Sequence, residues 1–262
     1  KTLYHRWRDG ERDSVQLLDA YAKLLAGVIE LYEATLDAKH LEFALALAES
    51  MMARFYDAEK GGFWQSAAQA PDLILRFKED YDGAEPSGNS VAILALLKLS
   101  AITDRADMKK AAEQSLRLFA QRLQTLPQAV PQLLLALDFW LEEPKRVVLA
   151  GDAAVAAGRQ LLRAAHSVYQ PNKVVLGNTG PVEAFAKALA CDSQSAFGGI
   201  VVFNREVDGP AAEALAIARK AGLSVQQFHS VIGAGRMRSG FYDTFMQWSL
   251  AGDDKAHLFM LV

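Results

Sequence analysis

The chain has 262 residues, of which 51% are hydrophobic, 23% charged and 9% aromatic, so wholesale disorder is excluded and a sizeable core is affordable. A formal net charge of −3 leaves no global field to draw in nucleic acid or an anionic membrane, and neither is expected as a partner. The single cysteine, Cys191, excludes an intrachain disulfide, a Cys-x-x-Cys redox pair and a cysteine-rich zinc site, and fits a reducing, cytoplasmic setting.

Residues 1–14 are polar and mixed in charge and read as an entry loop. The chain opens on Lys1 without a signal-peptide pattern, which gives the expectation of a processed product or a fragment. From Val15 onward, Leu17, Leu18, Tyr21, Leu24, Leu25 and Val28 recur at helical spacing, with Ser14 as the predicted N-cap. A second helix is predicted over about 39–56, with Leu41, Ala44, Ala48, Met51 and Phe55 on one face. Residues 57–87 break this rhythm: Gly61-Gly62 and Asp82-Gly83 are turn signals that leave room for a short hairpin. Helical spacing resumes from Val91 to Leu99, again over 108–123, and again over 131–141. The apolar run Val130–Leu141 is too short to span a bilayer.

A shift of 67 positions aligns Ala34 with Ala101, Asp37 with Asp104 and Leu41 with Met108, which points to stacked helical hairpins. After Pro144 the period changes. Residues 146–150 and 173–177 are short buried-strand patterns flanking a predicted helix at about 153–166, a parallel βαβ unit. Ile200–Phe203 offers a third strand after a helix at about 181–190, and four further helices are predicted within 209–261. The expected fold is mainly α, in three parts: helical hairpins over 1–143, a small βαβ element over 144–203 and a C-terminal helical segment over 204–262.

Three stretches resemble known families. Residues 1–190, through HRWRDGE (5–11), LDAYA (18–22), LYEAT (31–35), GGFW (61–64), DYDGAEPSGNS (80–90), PQLLLALDF (131–139) and PNKVVL (171–176), are similar to the C-terminal portion of thioredoxin-domain-containing proteins related to spermatogenesis-associated protein 20. That resemblance implies an (α/α) toroid similar to sugar epimerases and glycosidases, here incomplete and without the family's thioredoxin-like domain. Where the family often carries two aspartates before a tyrosine, this chain has Asp19 and then Ala20. Residues 190–214, with CDSQSAFGGIVVFNREVDGPAAEA as the core, resemble a segment of the AICAR transformylase part of a bifunctional purine-biosynthesis enzyme, without its Lys-His motif. About 216–259, best in ARKAGLSVQQFHSVIGAGRMRSGFYDTF (218–245), resembles the helical C-terminal domain of 3-hydroxyisobutyrate-type dehydrogenases, without their dinucleotide-binding domain. The chain reads as a mosaic of three incomplete pieces.

The sharpest chemical feature is the run of acids Glu79, Asp80, Asp82 and Glu85 just ahead of a predicted helix. In a toroid, loops at one end of the hairpins surround a central pocket. There Asp80, Asp82 and Glu85 are the candidate catalytic residues, acting as general acid and base on a sugar. The plainer reading is that acids ahead of a helix favour its N-terminal dipole and keep a loop solvated. Trp64 and Phe63 are candidate stacking surfaces for a sugar ring, with Asn89 and Arg6 as further substrate contacts; for the aromatics, ordinary packing is the plainer explanation.

The five histidines show no metal-ligand spacing, so no metal is expected. Gly233-Ala234-Gly235 follows a predicted helix rather than a strand, which breaks the dinucleotide-binding context, and no cofactor is expected. Arg236, Arg238 and Ser195 form a weaker candidate site for a small acid or nucleotide. The functional expectation is a scaffold or interaction module without an intact catalytic apparatus, with exposed helix faces covered either by homo-oligomerisation or by packing of the last 70 or so residues. The alternative is a carbohydrate-binding or epimerase/glycosidase-like module using loop 79–85, with a small sugar as ligand.

Overall fold

The structure is a computed structural model, and it describes residues 2–13, 15–68, 75–142, 144–149, 151–167, 169–189 and 200–203. It divides into two compact units, one of residues 1–33 and 37–142 and one of residues 34–36 and 143–262. The predicted C-terminal helical segment, Cys191, Ser195, Arg236 and Arg238 lie outside the described residues.

The first unit opens with a correction to the predicted entry loop. Strands β1 (Trp7–Arg8) and β2 (Glu11–Arg12) pair antiparallel around Asp9-Gly10. Both turn residues have positive φ, 54° and 87°, the combination a two-residue hairpin turn requires. The Asp-Gly signal was present in the sequence, but its flanks are charged and exposed rather than alternating.

Helix α1 (Leu18–Thr35) starts later than its apolar pattern, because Leu17 is still extended and bridges to Ser66. Ser14, the predicted cap, is four positions ahead of it and outside the described residues. Helix α2 (Ala38–Phe55) begins at Asp37, whose carboxylate accepts from Lys39 N at 2.9 Å. Helix α1 buries Leu18, Tyr21, Leu25 and Ile29, and Tyr21 meets Phe55 of α2 edge-on at 5.2 Å between ring centroids.

Helix α3 (Gly88–Thr103) buries thirteen of its sixteen residues, so it runs through the middle of the unit rather than along its surface. It packs against α4 (Ala106–Leu118) and α6 (Pro131–Leu141). The turn between α3 and α4 is made by Asp104 at φ 59°, a left-handed C-cap whose N–H returns to Ser100 O at 2.8 Å. The 67-residue internal match therefore lands on two helix–turn–helix pairs, α1–α2 and α3–α4.

The single helix predicted over 108–123 is two helices. Phe119 leaves helical geometry at φ −91°, ψ 9°, and a short α5 (Ala120–Thr125) follows it. A 3-10 turn at Pro127–Ala129 leads to α6, which starts on Pro131, where the ring's fixed φ and missing N–H cost nothing.

The second unit holds strand β3 (Lys145–Leu149), helix α7 (Ala156–Ser167), strand β4 (Lys173–Leu176), a 3-10 turn and helix α8 (Glu183–Leu189). Strands β3 and β4 pair in parallel, Lys145 opposite Lys173 and Val148 opposite Leu176, the predicted βαβ arrangement. Their Val147, Val148, Val174 and Val175 are buried, which explains why both strands read as continuous apolar runs. Strand β5 (Ile200–Phe203) adds to the other side of β3, giving the order β4-β3-β5, and it runs antiparallel. The fold is mainly α with a small, mixed sheet.

Candidate functional site

The stretch from Gly61 to Asn89 joins α2 to α3 and carries most of the predicted site residues. Gly61 and Gly62 both have positive φ, 76° and 74°. A Cβ on Gly61 would lie 2.7 Å from the backbone oxygen of Gln114, so this turn packs directly on α4. Phe63, a predicted stacking surface, is fully buried. Its N–H donates to Asn89 Oδ1 at 2.7 Å, and its carbonyl accepts from Asn89 Nδ2 at 2.9 Å. Asn89 Nδ2 also donates to Glu79 O at 3.1 Å. Asn89 thus ties three chain segments together, with its amide engaged by backbone.

Trp64 is half-buried, and two cations sit against its ring: Arg76 Cζ at 4.9 Å and Lys78 Nζ at 4.6 Å from the centroid. Lys78 also donates to Asp57 Oδ2 at 2.8 Å and Gly61 O at 2.5 Å, and holds the Asp57 carboxyl below its usual range. Arg6 lies on the exposed hairpin, where its Nε donates to Asp13 Oδ2 at 3.0 Å.

The three candidate catalytic acids take three different partners. Asp82 is 7% exposed. One of its oxygens accepts from Ser87 N at 2.8 Å; the other accepts from Gln132 N at 2.9 Å and Leu133 N at 3.3 Å. Ser87 is the N-cap of α3, and Gln132 and Leu133 are the second and third residues of α6, whose own cap position, Val130, offers no side-chain acceptor. Asp82 therefore closes the start of α6 and anchors the start of α3. Glu85 is exposed and pairs with Lys23 of α1, which lowers the Glu85 carboxyl and raises the Lys23 ammonium.

Asp80 pairs with Arg122 of α5: its Oδ2 accepts from Nε at 2.9 Å and lies 2.8 Å from Nη2. The pair lines a cleft of about 310 Å³ with Leu118, Phe119, Gln121 and Thr125. Asp82, Glu85 and Trp64 do not line this cleft.

A second group of polar side chains was not legible in the sequence. Asp19, in the first turn of α1, accepts from Gln65 Nε2 at 3.1 Å through Oδ2. Asp19 Oδ1 and Gln65 Oε1 are sealed from solvent and accept no hydrogen bond among the described residues. A Cβ on Gly88 would stand 2.4 Å from Asp19 Oδ1 and 2.9 Å from Leu18 Cγ, so a glycine at the start of α3 is what admits α1 this closely. Glu79 is raised above its ordinary value, first by burial and then by the nearby charge of Asp19, with Asp82 and Asp80 adding to it. Asp19 lies in the quoted stretch LDAYA, but no spacing rule links it to positions 65 and 79. Among the described residues, no group of three or more His, Cys, Asp or Glu side chains could hold a metal ion. No helix among them is long and apolar enough to cross a membrane.

Comparison with known proteins divides the chain. Over 169 residues, 64% of this chain, it is homologous to spermatogenesis-associated protein 20, with 37% identity to that of Rattus norvegicus and 36% to that of Homo sapiens. The chain spans about a fifth of the length of these curated relatives, 21% and 22% respectively. Residues 153–240 match the family model of the AICARFT/IMPCHase bienzyme. A match of 51% identity over 67 residues, 24% of this chain and 13% of the relative, is found with the bifunctional purine biosynthesis protein PurH of Anaeromyxobacter sp. (strain Fw109-5). The purine-enzyme likeness is longer than the 190–214 read from sequence, and it takes in much of the stretch compared with the dehydrogenases.

Proposed function

We propose that the helical unit is a scaffold or interaction module without an intact catalytic apparatus. One observation carries this reading: Asp80, Asp82 and Glu85 face three separate partners, a guanidinium, the capped starts of two helices and a lysine. General acid–base chemistry needs two such groups converging on one substrate atom or bond, and this arrangement disperses them. Exposed Leu24 and Leu31 on α1, with Leu135 and Leu141 on α6, are apolar surface for a second copy of the chain to cover. A cytoplasmic setting belongs to the same reading and rests on the single cysteine.

The test is light scattering of the purified chain alongside calorimetry with mono- and disaccharides. A self-associated species giving no heat with saccharides is the expected result. Saccharide binding that is lost in Glu85→Gln would overturn it in favour of the second reading, a carbohydrate-binding or epimerase-like module on loop 79–85. Half-buried Trp64 and the cleft beside Asp80 are the features that support that alternative.

A further inference from the structure

The cleft between Asp80 and α5 has an uncommitted side. Arg122 Nε donates to Asp80 Oδ2, and Nη2 lies 2.8 Å from the same oxygen. Among the described residues, Asp80 Oδ1 accepts no hydrogen bond and Arg122 Nη1 donates none. The two side chains are 38% and 36% exposed, so both unused ends are open to a ligand. One end is an anionic acceptor and the other a planar donor fork, held side by side by the pair itself. Leu118 and Phe119 form the apolar part of the lining, and Gln121 and Thr125 the remaining polar part. At about 310 Å³ the cleft has the size of the smallest ligand pockets.

From this arrangement we propose that the cleft binds a free α-amino acid. The ligand ammonium takes Asp80 Oδ1, and the ligand carboxylate takes the Nη1–Nη2 edge of Arg122, a fork that suits carboxylate geometry. The ligand side chain passes beside the exposed Leu118. A ligand with one charge satisfies only one end of the pair. A neutral sugar offers hydroxyl groups but no charge for either end, whereas a zwitterion meets both without parting Asp80 from Arg122. The excess of acid around loop 79–85 favours the ammonium end further. An exposed ion pair contributes little to fold stability, so substituting either partner leaves the chain folded.

The inference goes beyond the scaffold reading and does not depend on it, since a scaffold with or without this cleft filled is still a scaffold. The experiment is calorimetry of the full chain with L-leucine, N-acetyl-L-leucine, L-leucine methyl ester and glucose. Each is titrated to about 10 mM, tenfold above a millimolar Kd. The expected result is binding of L-leucine, weakened about tenfold or more by capping either charged end, and by Asp80→Asn or Arg122→Lys. Circular dichroism confirms that both variants remain helical. No heat with L-leucine would overturn the proposal, as would equal binding of the capped forms. Binding of glucose in place of L-leucine would overturn it and favour the carbohydrate reading.

Discussion

The two units of this chain hold their shape by different means. In the helical unit, the connections are fixed by buried polar side chains that reach across long stretches of sequence. Asp82 bonds to residues 50 and 51 positions away, and Asn89 to one 26 positions away. In the α/β unit, the sheet is fixed by a ladder between short runs of valine and leucine, whose register follows from which residues must be buried. Irregular loops expose backbone groups that only specific acceptors can satisfy, while a strand satisfies its neighbour as a matter of course. Asp82 and Asn89 thus tie together segments of the first unit that lie far apart in sequence.

The sharpest way to break this contrast is Asp82→Ala. It strips the acceptor from three backbone amides at two helix starts, and should cost about 3 kcal/mol in urea unfolding of the helical unit. Tryptophan fluorescence follows this, because Trp64 belongs to that unit. If Asp82 were poised for catalysis rather than capping, Asp82→Ala would leave stability untouched.

Val148→Ala is the counterpart in the sheet. It removes two methyl groups from a fully buried side chain and should cost about 2 kcal/mol, read by hydrogen exchange of the β3 and β4 amides. Exchange in α3 should not change.

Asp57→Asn comes next, at about 1–2 kcal/mol near neutral pH, since Asp57 holds Lys78 and accepts from Glu59 N and Lys60 N. Its carboxyl is lowered from the ordinary value of 3.8, chiefly by the Lys78 hydrogen bond. Its stabilisation is therefore fully present above that value and is lost as pH falls through the lower folded value. The gap between Asp57→Asn and the parent chain should close in acid, as thermal melts across pH would show. The smallest effect belongs to Arg6→Ala, whose partner Asp13 lies on an exposed hairpin. Its melting temperature should match the parent's, and a clear drop would mean that the hairpin braces the helices.

Much of the fold was legible. The 3.6-residue period of α1, α2 and α6, the proline opening α6 and the valine-rich strands are local signals, and they placed these elements within a few residues. Where reading failed, packing overrode a local signal. The break at Phe119 interrupts an apolar pattern that runs straight through it, and Leu17 is held extended by its bridge to Ser66. The antiparallel direction of β5 is equally invisible to periodicity, because a strand pattern reads the same both ways.

The candidate site divides along the same line. Sequence by itself determined that acids cluster at 79–85, that a glycine turn precedes Phe63 and Trp64, and that the chain resembles more than one family. Only the tertiary structure decided what each group faces: Asp82 toward the starts of α3 and α6, Asp80 toward Arg122, and Asp19 toward Gln65 across 46 positions. The physical reason is range. Helix and strand periods arise from the backbone over a few residues, whereas a carboxylate's role depends on the donor that packing brings to it.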